Sequence, residues 1–333
     1  MISVLLPYRD AEATLREALE SVLADLDAGD EVVAVDDGSS DGSAAIARAV
    51  AAADPRVVLR ATSSAGSGIV AALTCGLDAA RGSFIGRMDA DDVSLPGRFR
   101  AQRALFDADA SLGAVGVQVE AFPSPREGMQ RYVAWQNEVV TREDHRRAIF
   151  VESPLCHPSV LMRRDALDAV SGFRESAWAE DYDLWLRFDA AGLGLAKVPR
   201  VLFRWRMRPD SLTWTDPRYA PTRLVEARAH YLAVRLAARP FAVWGAGQTG
   251  RRLARALEAH AARPRFFVDV DPRKIGRTAR SAPIVDARRG IEAAARGEVT
   301  LVVAVGEPGA RAIVRDRLAG ADLREGAAFI CAA

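Results

Sequence analysis

The chain has 333 residues, 50% of them hydrophobic and 27% charged, with 45 basic against 44 acidic side chains. That length fits two domains, and the composition is that of a globular protein rather than a disordered, collagen-like or disulfide-built one. A net charge of +1 argues against a dedicated nucleic-acid binder, which carries a strongly basic face.

The first hundred residues alternate short apolar runs with helical patterns. Ile2–Leu6, Val32–Val35, Val57–Leu59 and Phe84–Met88 read as strands. Between them, Asp10 caps a helix running to about Leu26, with Leu15, Leu19, Val22 and Leu26 on one face. Ser43–Ala53 and Ile69–Ala80 are the next two helices. This β-α-β-α-β-α-β order predicts an α/β fold with a mostly parallel sheet and helices on both faces. Residues 113–119 form another strand, and the two prolines of Ala121–Gly128 predict a mobile loop. A helix over Trp135–Ile149, a strand over Val160–Met162, a helix over Glu180–Ala190 and a strand over Val201–Arg206 follow. Pro221–Ala238 reads as a long connector helix.

The pattern restarts at Phe241. Phe241–Trp244 is a strand, Gly245–Gly250 a glycine-rich turn, Arg251–His260 a helix and Phe266–Val268 a strand ending in Asp269. Thr300–Val305 and Ala327–Ile330 are further strands. The expected organisation is a larger domain over 1–220, a connector over 221–239 and a smaller α/β domain over 240–333. No apolar run reaches the ~18 residues of a membrane span. Met1–Pro7 is too short for a signal peptide and lacks a preceding basic segment. Cytoplasmic placement is the expectation. Cys75, Cys156 and Cys331 are odd in number and far apart, without a CxxC, and read as buried thiols. His145, His157, His230 and His260 show no i,i+4 pairing, so no histidine metal site is expected.

The strongest chemical signal is Asp89-Ala90-Asp91-Asp92, directly after the fourth predicted strand. Three carboxylates within four residues repel one another unless a cation joins them. Their hard oxygens suit Mg²⁺ or Mn²⁺, and such an ion grips a diphosphate. A loop of capping, solvated acids is the plainer reading, but the end of a parallel strand is where ligands sit. The second signal is Asp36-Asp37-Gly38-Ser39-Ser40-Asp41-Gly42, after the second strand. Asp36 or Asp37 can accept hydrogen bonds from a ribose hydroxyl or a base N–H, while Asp41 or Ser43 caps the next helix. The first strand runs into Pro7-Tyr8-Arg9-Asp10-Ala11-Glu12, with neither GxGxxG nor GxxxxGK[ST]. A nucleotide held here rests on acids and a metal rather than on a glycine cradle. The third signal is Ala179-Glu180-Asp181-Tyr182-Asp183-Leu184-Trp185. Leu184, Trp185 and Phe188 form one buried face. That puts Glu180 and Asp181 at the helix start, where the dipole favours carboxylates. Such a residue can be a general base; plain N-terminal acidity is the alternative.

Together and in this order, the motifs resemble family 2 glycosyltransferases of the GT-A fold. The resemblance spans Ile2 to about Asp216. It includes Leu6-Pro7-Tyr8-Arg9, Val35–Ser39, Gly68–Leu77, Arg87–Asp92, His157–Val160 and Ala179–Arg187. It implies inverting transfer of a sugar from a nucleoside-diphosphate donor to a glycan or glycolipid acceptor. By that resemblance Pro7, Tyr8, Asp36, Asp37, Gly68, Asp89 and Arg206 bind the nucleotide sugar. Asp91 binds the metal, Mg²⁺ or Mn²⁺, and Asp181 deprotonates the acceptor hydroxyl. Two positions depart from the pattern. Relatives often carry Asn where Thr74 stands and His where Arg208 stands. A histidine there completes a metal shell and an arginine cannot, so Arg206 or Arg208 becomes a candidate to hold the diphosphate directly.

Arg200–Arg239 contains nine arginines against Asp210, Asp216 and Glu226, with Trp205, Trp214, Tyr219 and Tyr231 among them. One reading is an electropositive surface for a lipid-linked acceptor, peripheral on the inner face of the cell membrane. The other is arginines spread over a connector helix and paired between domains. Further on, Gly245-x-Gly247-x-x-Gly250 follows a strand and opens a helix, with Asp269 nineteen residues after the last glycine. That is the context of a Rossmann-type fingerprint. Val268–Gly276 looks like small nucleotide-binding domains attached to sugar-modifying enzymes. NAD(P) or another nucleotide is the candidate ligand of Gly245, Gly247, Gly250 and Asp269; a purely structural domain is the alternative. The rivals to a transferase are a nucleotide-sugar-binding protein without turnover and an NAD(P)-linked sugar-modifying enzyme.

Overall fold

All seven residues of the first strand, β1 (Ile2–Tyr8), are buried. A strand with no wet face lies inside a sheet covered on both sides. β2 (Glu31–Asp36) pairs with it in parallel and carries β3 (Val57–Ala61) on its outer side, also in parallel. β4 (Phe84–Arg87) pairs in parallel on the other side of β1. β5 (Val93–Ser94), β6 (Leu112–Phe122), β7 (Leu161–Arg163) and β8 (Gly194–Arg206) complete an eight-stranded sheet of order β3-β2-β1-β4-β7-β6-β8-β5. β7 is antiparallel to both its neighbours and β5 to β8, while β6 and β8 run parallel.

The computed structural model describes residues 1–63, 67–237, 239–307 and 309–333. The chain divides into two units. The first holds Met1–His145, Pro154–Ser176 and Arg187–Thr215; the second holds Arg146–Ser153, Ala177–Leu186 and Asp216–Ala333.

Several expected elements change length for local reasons. The helix expected from Asp10 runs only from Leu15 to Leu23, though Leu15, Leu19 and Val22 are buried as the pattern requires. Asp10 has φ 47° and its carboxylate accepts the Ser40 N–H at 2.8 Å, so it braces a loop instead of capping. The strands expected over 113–119 and 201–206 extend to Leu112–Phe122 and Gly194–Arg206 because they pair with each other. The helix expected over Trp135–Ile149 is two helices, Glu127–Glu138 and Arg142–Ala148. The break is a capping box: Thr141 Oγ1 donates to Asp144 Oδ2 at 2.7 Å and accepts the Asp144 N–H at 3.1 Å. The loop expected over Ala121–Gly128 shrinks accordingly, since β6 takes its start and the helix from Glu127 its end.

The helix Arg98–Ala108 was not expected, because two of its buried residues are polar. Arg98 is fully buried and donates from Nη2 to the carbonyls of Arg87 at 2.8 Å and Pro158 at 3.0 Å. Gln102, equally buried, donates to the carbonyls of Val115 at 2.6 Å and Ser159 at 3.0 Å. Buried polar groups are tolerated when hydrogen-bonded. Here they tie the end of β4 to the segment around His157.

The second unit contains β9 (Phe241–Trp244), β10 (Phe267–Val268), β11 (Thr278–Ala279), β12 (Ala282–Val285), β13 (Thr300–Val303) and β14 (Phe329–Cys331). Their order is β11-β12-β10-β9-β13-β14, and only the β11/β12 pairing is antiparallel. The order reverses between β10 and β13 at β9, which makes a topological switch point. The connector helix runs over Pro221–Leu236, and its expected end at Ala238 lies outside the described residues. The helix after the glycine turn begins at Gln248, three residues before the expected Arg251. Cys156 and Cys331 are buried, but Cys75 is half-exposed, its thiol on the carbonyl of Ala61. Among the described residues, no helix is long and apolar enough to cross a membrane.

Candidate active site

The acids singled out in the first unit leave the sheet at one end. In the register Tyr8 stands beside Asp36 and Leu5 beside Arg87. The Asp37 N–H donates to the carbonyl of Tyr8 at 2.9 Å, and the Met88 N–H to that of Leu5 at 3.1 Å. Pro7 and Tyr8 are both buried at the end of β1. Burial first, and then Asp36, pushes the Tyr8 phenol up to about 12.

The two carboxylates after β2 have different surroundings. Asp37 is buried and accepts Thr62 Oγ1 at 3.0 Å and the Gly68 N–H at 2.9 Å. It thereby ties the end of β3 to the start of the helix Ile69–Ala79. Gly68 sits at φ +103°, a conformation open to glycine. Asp36 is half-exposed and accepts the Ser39 N–H at 2.8 Å. Asp37 is taken up by these two donors, and Asp36 remains presented at the strand end.

Arginines thread the acid turn after β4. Arg87, itself buried, reaches Asp89 Oδ1 at 2.7 Å. Arg208 Nη1 lies 3.8 Å from Asp91 Oδ2, while its other nitrogens hold Asp210 at 3.0 and 2.6 Å. Arg206 donates its backbone N–H to Asp92 Oδ1 at 2.7 Å and its Nε to the carbonyl of Asp91 at 2.5 Å. Its Nη2 reaches Glu17 at 2.7 Å, and its guanidinium lies 4.5 Å from the Phe122 ring. Asp92 is buried, and burial with the charges of Asp89 and Asp91 raises it well above the carboxylate range. Asp91 is pushed up to about 6, by burial first and Asp89 second, against the pull of Arg208 and Arg206.

Among the described residues, no three His, Cys, Asp or Glu side chains gather into a preformed metal cage. Mg²⁺ does not require one, because one or two carboxylates plus substrate phosphates and waters complete its shell. Asp91 fits that pattern, since its environment concentrates negative charge where a cation relieves it. Arg87 stood in the sequence reading only as part of the Arg87–Asp92 stretch, and Arg98 escaped it. The available signal was the place of the two arginines on either side of the acid turn. His157, in the same region, is buried 5.9 Å from the Phe173 ring, and burial followed by Arg87 drives its pKa well down. A cleft of about 900 Å³, lined in part by Arg60, Thr62, Thr74, Cys75 and Asp78, contains none of Asp36, Asp89 or Asp91.

In the second unit, the helix from Glu180 buries Leu184 and Trp185 as its periodicity predicts. Asp181 is half-buried in its first turn and accepts the Tyr182 N–H at 2.6 Å. Burial, then Glu180, with Glu152 adding, pushes the Asp181 carboxyl up to about 8.

In the glycine turn Gly245–Gly250, two of the three glycines stand against backbone carbonyls. A Cβ on Gly250 would stand 1.9 Å from the carbonyl oxygen of Gly245, and one on Gly245 would stand 2.4 Å from that of Ala304. At Gly247 nothing lies within 4 Å. Asp269, however, is consumed. It is buried and accepts the N–H groups of Ala246 at 3.0 Å and Asp271 at 2.9 Å, and Lys274 Nζ at 3.0 Å. Burial opposes its charge, but these donors hold its carboxyl below the usual range. The acid expected to read a ribose is closing its own turn.

Of the arginines between 200 and 239, Arg204, Arg206, Arg208, Arg218, Arg223 and Arg228 each reach a carboxylate. Each of these pairs lies within one unit, whereas the sequence reading expects pairing between domains.

Comparison with known proteins agrees with the architecture. The glycosyl transferase family 2 domain matches residues 3–171. The chain is 30% identical over 214 residues to the amylovoran biosynthesis glycosyltransferase AmsE of Erwinia amylovora, covering 63% of this chain and 77% of that protein. It is 26% identical over 208 residues to the Escherichia coli UDP-Gal:alpha-D-GlcNAc-diphosphoundecaprenol beta-1,3-galactosyltransferase, covering 61% of this chain and 72% of that one. Residues 1–349 of S. aureus TarS in complex with UDP-GlcNAc share the fold with a TM-score of 0.54 at 19% identity, covering 79% of this chain and 73% of that one. The large curled sheet with its acid-bearing strand ends is thus a GT-A-like α/β architecture. The chain belongs to glycosyl transferase family 2.

Proposed function

We propose that this enzyme moves a sugar from a nucleoside-diphosphate donor to an acceptor hydroxyl with inversion at the anomeric carbon. The observation that carries the reading is the set of acids at the carboxyl ends of β2 and β4, with Tyr8 at the end of β1 between them. Ligands of parallel sheets sit at that end. In this reading Asp36 accepts from the ribose or base, over a floor made by Pro7 and Tyr8. Asp37 holds Thr62 and Gly68 at the edge of the site, and Asp89 lies toward the ribose. Asp91 holds Mg²⁺ or Mn²⁺, which when bound neutralises charge on the departing diphosphate. Arg206 fixes the acid turn, and Arg208 offers a guanidinium to the diphosphate.

Asp181 takes the proton of the attacking hydroxyl. That oxygen bonds to the anomeric carbon as the carbon–phosphate oxygen bond breaks, and the electron pair leaves with the nucleoside diphosphate. A base works best with a proton affinity near the operating pH, and the carboxyl of Asp181 is held at about 8. The assignment rests on the family resemblance and on that environment. The names of the two curated relatives, one in amylovoran biosynthesis and one acting on a diphosphoundecaprenol-linked sugar, support an acceptor in polysaccharide or lipid-linked glycan synthesis. Residues 1–220 are read as the catalytic domain, 221–239 as a connector and 240–333 as a Rossmann-like domain. The closed Asp269 turn supports a structural role for that domain over NAD(P) binding.

Thermal melts across UDP, GDP and dTDP and their sugars, with and without Mn²⁺, test the reading. A ligand at 100 times its Kd adds about 2.7 kcal/mol to the folded state. One nucleotide class is expected to stabilise the protein, more so with Mn²⁺, and Asp91→Asn to abolish the Mn²⁺ increment. Arg208→His is expected to enlarge that increment by adding a ligand. The same shift in Asp91→Asn as in the parent, or stabilisation by NAD(P) alone, would overturn it.

A further inference from the structure

We propose that Tyr219 and Tyr231, contributed by the segment leading into the second sheet, are positioning residues for the acidic first turn that carries Asp181. The inference rests on reading Asp181 as the acceptor base.

That turn places Glu180, Asp181 and Asp183 within four residues. A helix dipole favours such acids only weakly, which does not offset burial. Yet Glu180 is 4% exposed and Asp183 is 0% exposed. Buried carboxylates need strong donors, and aromatic side chains supply them. The Tyr219 hydroxyl donates across both Glu180 oxygens, at 2.9 and 3.0 Å. The Tyr231 hydroxyl donates to Asp183 Oδ1 at 2.8 Å, the same atom that accepts Trp178 Nε1 at 3.0 Å. Asp181, between them, accepts from its own helix at the Tyr182 N–H. Its place is therefore set through its neighbours, which are pinned from outside the helix.

One stretch of chain supplies both tyrosines. Tyr219 ends the 3₁₀ turn Pro217–Tyr219, whose start is capped by Asp216 accepting the Arg218 N–H at 2.9 Å. Tyr231 lies on the helix Pro221–Leu236 that follows. Arg228, on the same helix, reaches Glu152 at 3.7 Å. The charged groups facing Asp181 are thus Glu180 from its own helix, Glu152 from the 146–153 segment, and Arg228 acting on Glu152. Tyr219 and Arg228 touch the two carboxylates that most influence Asp181. A segment read from sequence as a plain connector is, on this geometry, part of the catalytic apparatus.

The test uses the whole chain with Tyr219→Phe, Tyr231→Phe and Asp181→Asn. Each tyrosine variant removes one oxygen and keeps the ring. Melting temperature is followed from pH 5 to 9.5, and nucleoside-diphosphate release from UDP-glucose, UDP-N-acetylglucosamine and GDP-mannose is followed beside it. In the parent, stability declines with rising pH until Asp181 ionises and then levels off, a step at the Asp181 titration that Asp181→Asn lacks. Tyr219→Phe is expected to move the step up by half a pH unit or more. Any measurable turnover should fall about tenfold with donor KM unchanged within twofold. Tyr219 is half-exposed, so this variant remains informative if Tyr231→Phe fails to fold. A step that stays within 0.2 unit of the parent in Tyr219→Phe would overturn the proposal (this threshold, about 0.3 kcal/mol, follows from the pKa conversion). Undiminished turnover in Asp181→Asn with a displaced step in Tyr219→Phe would instead remove the base assignment and leave the pinning of the turn in place.

Discussion

Replacing Asp181 by Asn should stabilise the protein at alkaline pH while removing its activity. In the folded chain the Asp181 carboxyl is held at about 8 against an ordinary 3.8, through burial and then the charge of Glu180. The folded state therefore keeps a proton that the unfolded chain releases near pH 4. Where the folded state binds more protons, stability falls as pH rises. The loss accumulates from about pH 4 to about pH 8 and is constant above. A gap of about four units at ~1.36 kcal/mol each sets a ceiling near 6 kcal/mol. Partial exposure and sharing of the proton with Glu180 reduce this, and about 1–3 kcal/mol is the expectation. Asn does not titrate, and its carbonyl still accepts the Tyr182 N–H. About 0.6 of the window from about pH 4 to about pH 8 lies above pH 5.5, so the melting-temperature advantage of Asp181→Asn should grow by roughly 1–4 °C between pH 5.5 and 8.5. Transfer should drop by about 10²–10⁴-fold with folding intact. Calorimetry at both pH values checks the first part. An advantage that is the same at both would refute the argument, because a purely steric or packing effect has no such pH dependence.

Glu31 offers a test of buried charge in the sheet itself. It is 1% exposed and accepts Ser3 Oγ at 2.6 Å and the Arg81 guanidinium at 2.9 and 2.6 Å. Glu31→Ala should cost about 2–4 kcal/mol in urea melts, the lower part of the range for broken buried pairs because the Arg81 side chain, 70% exposed, can turn to water. A cost under about 0.5 kcal/mol, the size of an ordinary surface change, would contradict it. In the glycine turn, Gly250→Ala should destabilise by more than about 2 kcal/mol, because its Cβ would stand 1.9 Å from a backbone oxygen. Gly247→Ala, with open space around it, should stay within about 0.5 kcal/mol. Equal melts for the two would show that the close approach at Gly250 is not what fixes the turn.

The parallel strands were legible because burial on both faces leaves continuous apolar runs, as in Val32–Val35 and Phe241–Trp244. The acid turns were legible because charge stands directly after such a run, but the hydrogen bonds that give Asp37 and Asp269 structural work were not. The helix Arg98–Ala108 was hidden because Arg98 and Gln102 are core residues, and polarity alone gives no hint that carbonyls elsewhere satisfy them. The break at Thr141 was written in a capping box but was overridden by helical periodicity on both sides. Asp36 and Asp37 could not be separated in sequence, since their difference lies in Thr62 and Gly68, 25 and 31 residues beyond Asp37. The partners of Glu180 and Asp183 were equally out of reach, 39 and 48 residues away.

Asp36 and Asp269 stand at corresponding places, each at the end of the strand that pairs in parallel with the first strand of its own sheet. Strand topology alone would give both the same task. Their hydrogen bonds separate them. Asp36 accepts one loop N–H and remains half-exposed. Asp269 is 7% exposed and accepts two backbone N–H groups and an ammonium. For a ribose to bond Asp269 it must displace Lys274 or open the turn at Ala246, and either exchange cancels much of what the new bond contributes. A ribose meeting Asp36 displaces water instead. The end of a parallel strand thus fixes where a carboxylate can read a ligand, and the number of donors it already holds decides whether it does.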